Sequence, residues 1–136
     1  MANSFKAQVD DFIKDSNARA LAVFQAAAQD VIKDAQIIDD KGGNMPLDTS
    51  FLVNSGQANI GSLPIGPDVK PKGYALQDWN PAETTTTINR VKLGDTLYFG
   101  WTANYARYME NRFKFMRSAA QLWPDHVNKR ALEFKK

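Results

Sequence analysis

A long amphipathic pattern from residue 4 to residue 39 constrains this fold more than any other feature of the chain. Apolar residues recur there at steps of mostly three and four, and neither proline nor glycine interrupts them before Gly42. This period is typical of one helix, about 50 Å long at 1.5 Å per residue. A globule of 136 residues is narrower than that. We therefore expect this helix, within residues 1–40, to bend near Ser16 and Asn17, where the repeat lapses, or to protrude and meet another chain.

The middle of the chain predicts a small antiparallel sheet. Residues 84–91 are rich in β-branched side chains, residues 96–102 alternate between apolar and polar positions, and the turn residues 92–95 separate the two runs. Together they predict a hairpin, with residues 55–60 as the third strand.

The last third of the chain, residues 104–136, is helical in pattern. A short helix is predicted over residues 104–111 and a longer one from residue 114 onward. Pro124 lies inside the second pattern, and because proline lacks a backbone N–H we expect the helix to kink or restart there. The predicted fold class is α+β: a sheet of about three to four strands packs against the long N-terminal helix and a C-terminal helix, in one domain of residues 1–136.

Residues 61–83 form the least regular stretch, with four prolines and three glycines. A connection of this length is uncommon in a compact domain and is usually functional or disordered. Its apolar residues, among them Tyr74 and Trp79, argue against disorder. We expect an extended loop or arm that packs onto a neighbouring chain; the alternative, a loop folded over its own core, stays open.

The residue inventory offers little to a catalytic site. The chain has no cysteine and a single histidine, His126, which excludes thiolate chemistry, disulfides and multi-histidine metal sites. His126 lies in a helical pattern with no serine motif of the nucleophile-elbow type, so we interpret it as a surface or helix-end residue. Asp30 and Asp34 lie one turn apart on a face that we interpret as solvated. We therefore predict no enzymatic activity, no cofactor and no metal.

Charge is distributed unevenly along the chain. Residues 1–102 hold nine basic and twelve acidic residues, whereas residues 103–136 hold eight basic and three acidic ones. Such a split is typical of a nucleic-acid or anionic partner, of head-to-tail contact between copies, or of a solvated basic helix. The chain begins without the pattern of a signal peptide and has no run of about 18 apolar residues. We therefore expect a protein made in the cytoplasm, without a membrane span.

Three segments resemble a known family in their order and spacing. They are Met45–Ser55 (MPLDTSFLVNS), Tyr105–Glu110 (YARYME) and Phe115–Ala120 (FMRSAA), and they follow a long N-terminal helix. The tail-completion or neck proteins of long-tailed bacteriophages typically show P-[VL]-D-T-G-x-L-x-x-S, Y-A-x-x-x-E and P-F-[LM]-R-x-A in this order. The chain departs from the pattern at Ser50, where the family has glycine, and at residues 111–114, which replace a glycine-rich link. At Ser50 we therefore expect a helical rather than a left-handed turn.

The resemblance implies a virion structural protein without catalysis. It would form a homo-oligomeric ring of six or twelve copies in the neck of the virion. The ring would join the head connector to the tail terminator or tube around a channel through which genomic DNA passes. Two other functions stay open: a small nucleic-acid-binding protein that uses the basic last third, and a tail-terminator or tail-tube subunit.

Several residues receive a role from this comparison. Asp48 and Thr49 are expected to cap a short helix. Glu110 and Arg117 are seven residues apart, which is two turns if one helix is continuous, and they are expected to pair within a chain or across the ring. Arg107 and Arg112 are expected to face the channel or a neighbouring copy. For each of these the alternative is a solvated surface position. We assign seven residues to the core: Phe51, Leu52, Phe99, Trp101, Tyr105, Met116 and Trp123.

Overall fold

The fold is α+β, as predicted, with a long N-terminal helix, a C-terminal helix and a small antiparallel sheet. A computed structural model describes residues 5–135. The elements follow one another in the order α1 Phe5–Ala35, a 3-10 turn Asp39–Lys41, α2 Phe51–Asn54, β1 Gly56–Ile60, α3 Ala82–Asn89, β2 Leu97–Trp101, α4 Ala106–Phe113, α5 Phe115–Ala120 and α6 Trp123–Glu133.

Helix α1 is continuous from Phe5 to Ala35 and does not end near Ser16 and Asn17. Its 31 residues span about 46 Å. Nearly every residue before Leu21 is exposed, whereas the C-terminal part buries Ala27, Ala28, Ile32 and Ala35. Of the two expected outcomes, the structure therefore has the protruding helix. The helix ends four residues earlier than predicted, and Ile38 beyond it forms a parallel bridge with Met45.

The sheet has two strands among the described residues, fewer than the predicted three to four. β1 and β2 are antiparallel, with Gly56 opposite Trp101 and Ile60 opposite Leu97. Both β1 and β2 lie within runs that were expected as strands, but their direct pairing was not expected. The predicted partner of β2, residues 84–91, forms most of α3 instead, so the hairpin prediction is wrong.

Packing against α1 explains why residues 84–91 are helical. Thr84 and Ile88 are buried one turn apart, and Val91 is buried three residues later. Gln25 of α1 donates from Nε2 to the Val91 carbonyl at 3.2 Å. Asn80 Oδ1 accepts from the Ala82 amide at 2.9 Å at the start of the helix. Strand propensity depends on context, and here burial at helical spacing outweighs it.

The irregular residues 61–81 are tied to their own core at several points. Tyr74 meets Phe51 edge to face, with 5.5 Å between ring centroids, and Trp79 also packs against the core. Near the other end, the Asp68 carbonyl accepts from the Asn104 amide at 2.8 Å. Both candidate arm residues, Tyr74 and Trp79, are therefore half-buried against the chain itself. Ile65, which lies between the Gly61 amide bonded to the Thr96 carbonyl and the tie at Asp68, is 94% exposed.

The core joins α2, the residues before it, β2 and α5. Its buried members are Met45, Phe51, Leu52, Val53, Ala103 and Phe115. Of the predicted core residues, Phe51 and Leu52 are buried and Phe99, Trp101 and Trp123 are half-buried. Tyr105 and Met116 are exposed, so their assignment was wrong.

The C-terminal helices break at two residues. Lys114 is left-handed (φ 56°) and separates α4 from α5, which turns Phe115 into the core and Met116 outward. Pro124 lies in the first turn of α6, so the predicted restart at this proline is confirmed. A proline is tolerated in that position because the first amides of a helix have no partner within the helix.

Candidate functional site

The first family-like segment meets the second and third, which lie about fifty residues further along the chain and are separated from each other only by residues 111–114. A cavity of about 270 Å³ lies where the first segment meets α4; its lining includes Asp48, Thr49 and Tyr105. Ring contacts link Phe51 of the first segment to Tyr74 and Phe115 of the third to Trp101, the latter at 4.8 Å. The segments form one unit, which we call the motif unit (residues 45–55, 105–110 and 115–120).

The turn into α2 is built on Ser50 rather than on Asp48 or Thr49. Ser50 is the N-cap residue, it is left-handed (φ 65°), and its side chain makes no capping hydrogen bond to α2. Its Oγ instead accepts from the Gln77 amide at 3.0 Å, while Thr49 Oγ1 accepts from the Phe51 amide at 3.4 Å. The prediction that Asp48 caps the helix is therefore wrong, and so is the prediction of a helical turn at Ser50.

Asp48 lies instead beside Tyr105 at the cavity. Burial raises the pKa of the Tyr105 hydroxyl above its ordinary value, and the negative charge of Asp48 raises it further. A hydrogen bond with Thr49 acts in the opposite direction. Burial and the negative charge of Asp48 both disfavour the phenolate form of Tyr105. The side chain therefore stays a neutral hydroxyl at physiological pH and serves here as a hydrogen-bonding group.

Glu110 connects the second and third segments through the backbone. Its carboxylate accepts from the Met116 amide at 2.7 Å through Oε1 and from the Arg117 amide at 3.0 Å through Oε2. These are amides of the first turn of α5, which have no acceptor within the helix. Glu110 is 9% exposed. The prediction of a Glu110–Arg117 ion pair within one chain is wrong: the Glu110 carboxylate accepts from the backbone amide of Arg117, because Lys114 interrupts the helix between them. A pairing across copies stays a prediction.

A second cluster joins α1 to α6 and was missed by the sequence analysis. Arg130 donates from Nε and from an Nη to the two carboxylate oxygens of Asp30, each at 2.8 Å. His126 Nε2 lies 2.6 Å from Asp34 Oδ2, and His126 Nδ1 lies 3.7 Å from Asp30 Oδ2. The hydrogen bond from Arg130 lowers the pKa of Asp30. The interpretation of Asp30 and Asp34 as a solvated face is therefore wrong.

A sequence signal for this cluster existed. Asp30 and Asp34 are four residues apart, and so are His126 and Arg130. Two carboxylates on one helix, and a histidine and an arginine at the same spacing on another, can pair along the length of two packed helices. Through this cluster, acidic residues of the first helix pair with basic residues of the last third within one chain.

Basic and aromatic side chains share the outer surface of α4. Arg107 and Arg112 are exposed, and Tyr108 between them is 62% exposed. The guanidinium of Arg112 lies 5.2 Å from the centroid of the Phe113 ring. Arg117 is exposed on α5. We call Arg107, Tyr108, Arg112 and Phe113 the α4 surface.

Residues 5–135 contain no group of three or more histidine, cysteine, aspartate or glutamate side chains arranged to hold a metal ion. None of the helices in this range is long and apolar enough to cross a membrane. Compared with known proteins, the chain matches no protein-family model, and no curated protein or solved structure is significantly similar to it.

Proposed function

We propose that this chain is a virion structural protein of a bacteriophage neck. Copies of it, six or twelve, form a ring that joins the head connector to the tail terminator or tube around the DNA channel. In this role the chain performs no reaction, and its surfaces bind sister copies and the neck proteins above and below.

The convergence of the motif unit carries the proposal. Three segments that resemble the family only as short patterns contact one another in space: Glu110 caps the helix that contains Arg117, and Tyr105 lies against Asp48 and Thr49. Residues 105–120 are continuous enough to meet by proximity in the chain, but residues 45–55 are not, so their contact with Tyr105 is the part that supports the proposal. Ser50 adds to this support, because it adopts the backbone conformation that favours glycine where the family has glycine.

Two exposed apolar surfaces support an assembly. The N-terminal half of α1 protrudes from the body with Phe5 and Phe12 exposed. The irregular segment presents Leu63, Ile65 and Val69 to solvent between the points where it is tied to the core. Exposed apolar side chains grouped in this way favour contacts with other chains. We assign the tip of the segment, residues 61–70, to contact with an adjacent neck protein.

A virus that lacks this gene tests the proposal. We expect DNA-filled heads and complete tails that do not join, and restoration of joined particles when the wild-type chain is supplied in trans. Gold-labelled antibody should locate the chain at the head–tail junction. Joined, infectious particles that form without the chain would refute the neck assignment.

A variant of the exposed segment sharpens this test. Ile65→Asp places a charge on a side chain that is 94% exposed, so it should leave the fold intact. Leu132→Asp places the same charge on an exposed apolar side chain of α6, outside residues 61–70, and makes the matched control. We expect Ile65→Asp to reduce the yield of joined particles while Leu132→Asp restores it fully. Equal yields from both variants would remove the segment from the interface.

The α4 surface favours a second candidate function, binding to nucleic acid. Exposed arginines beside an exposed aromatic ring can hold phosphates and stack bases. Binding to random duplex DNA should then weaken steeply with salt, and Arg107→Glu with Arg112→Glu should abolish it. Lys70→Glu with Lys72→Glu, the same charge change on the irregular segment, is the control. Binding that both double variants weaken equally would indicate net charge alone, and no binding at low salt would exclude this function.

A further inference from the structure

The N-terminal half of α1 carries an apolar stripe that the described residues leave open to solvent. Phe5 is 81% exposed and Phe12 is 71% exposed, and Val9 and Ile13 complete the stripe. The two phenyl rings alone present on the order of 300 Å² of apolar surface. On a soluble chain, exposed apolar patches of a few hundred Å² mark interaction sites.

A groove between α1 and α6 matches the stripe in length and character. It has a volume of about 490 Å³ and is lined mainly by apolar side chains. The stripe covers eight steps from Phe5 to Ile13, or about 12 Å, and the α1 wall of the groove covers the same eight steps from Ser16 to Phe24. The lining residues are Ser16, Arg19, Ala20, Val23, Phe24, Trp123, Val127 and Ala131.

The stripe and the α1 wall of the groove occupy the same face of the helix. Each stripe residue precedes a wall residue by eleven positions, which is three helical turns. Helix α6 of the same chain partly covers this face along the wall, but it does not cover the stripe. The wall has smaller side chains where the stripe has phenyl rings: Phe5 corresponds to Ser16 and Phe12 to Val23. The groove therefore has room for rings that the stripe supplies.

Within one chain the stripe cannot reach the groove. Helix α1 is unbroken from Phe5 to Ala35, so it cannot fold back on itself. Opposite charges accompany the two surfaces: Asp11 and Asp15 lie exposed one turn apart beside the stripe, and Arg19 lines the groove. An amphipathic helix laid into an apolar groove is a common mode of recognition, with anchors at the spacing seen here.

We propose that the stripe of one copy packs into the α1–α6 groove of a second copy. The identity of the partner as a second copy rests on the proposed function, which requires contacts between copies. Because stripe and groove are different surfaces, each docked copy still offers a free surface of each kind, and the contact can continue head to tail until a ring closes.

Self-association measured by sedimentation velocity and light scattering over a range of concentrations tests the contact. The stripe variant, Phe5→Asp with Phe12→Asp, should weaken association by about 30-fold or more, as expected for aromatic anchors. Ala18→Asp adds one such charge on the opposite, exposed face and should have no effect. Since all three positions are exposed, the circular dichroism and thermal midpoint of each variant should equal those of the wild type.

The groove variant Ala20→Arg makes the test directional. Alone it should not associate, because its groove is blocked. Mixed with the stripe variant it should form heterodimers and nothing larger, since an intact stripe then meets an intact groove once. Association of Ala20→Arg alone at wild-type strength would overturn the proposal, and so would a wild type that stays monomeric at high concentration.

The outcomes separate this contact from the neck proposal. Wild-type chains that stop at two copies, and separate when the stripe is changed, would support the contact and contradict the ring. Ring-sized particles that persist in the stripe variant would support the ring and overturn the contact. Ring-sized particles that disappear in the stripe variant support both.

Discussion

Removal of the Glu110 carboxylate should destabilise the protein strongly. Glu110→Ala leaves the Met116 and Arg117 amides at the start of α5 without their acceptor. A hydrogen bond to a charged group stabilises by about 1.5–3 kcal/mol. Water can reach a helix terminus once the side chain is gone, which lowers the sum, so we expect a loss of about 3 kcal/mol in the free energy of unfolding. For a chain of this size the thermal midpoint should fall by about 10 °C.

Two further variants make this prediction specific to the geometry. Glu110→Gln keeps one acceptor oxygen and turns an amide NH₂ group toward the other donor, so it should lose about half as much, roughly 1.5 kcal/mol. Arg117→Ala removes an exposed side chain and leaves its backbone amide in place, so its effect should stay within about 0.5 kcal/mol. Urea unfolding followed by circular dichroism measures all three.

The comparison of Glu110 with Arg117 can refute the reasoning. If the two side chains formed an ion pair, Arg117→Ala would cost as much as Glu110→Ala. A loss below about 1 kcal/mol in Glu110→Ala would show that the first turn of α5 is satisfied by other groups. Either result contradicts the assignment of Glu110 as the cap of α5.

The remaining predictions concern acid stability and the turn at Ser50. Because the pKa of Asp30 is lowered, the contribution of this carboxylate to stability is complete above the ordinary pKa of 3.8 and is lost as the pH falls through the lowered pKa. Asp30→Asn should flatten this part of the pH–stability curve, measured by thermal unfolding. A curve that keeps its acid limb in Asp30→Asn would contradict the Asp30–Arg130 geometry. Ser50→Ala loses the acceptor of the Gln77 amide and keeps the left-handed strain, so its free energy of unfolding should fall by about 1 kcal/mol. Ser50→Gly loses the same bond but relieves the strain, so it should be close to wild type, and equal losses in the two variants would contradict this account.

Elements with strong periodicity could be predicted from the sequence. Helix α1 follows from its uninterrupted apolar repeat, and the start of α6 follows from Pro124. β1 follows from its position after a short helix and a turn. In each case the information lies within a window of neighbouring residues, which is where sequence patterns are most reliable.

Elements decided by distant contacts could not be predicted. The threonine run in α3 has the composition of a strand, and its helical form depends on burial of Thr84 and Ile88 against α1. The pairing of the Glu110 and Arg117 side chains within a chain depended on one continuous helix. The left-handed residue Lys114 separates two helices instead, and the Glu110 carboxylate accepts from backbone amides. The motif unit itself was recognised only as three separate segments.

Ser50 and Lys114 have a consequence for the order of folding. Both are non-glycine residues in the left-handed region, which an L-residue enters at a cost of about 1–2 kcal/mol. Neither turn therefore forms from the preference of its own residue. The turn at Lys114 is held by bonds between Glu110 and amides six and seven residues away, so it can form with α4 and α5. The turn at Ser50 depends on Gln77, 27 residues away, so we expect this corner to consolidate late, when the irregular segment settles on a core that has already collapsed.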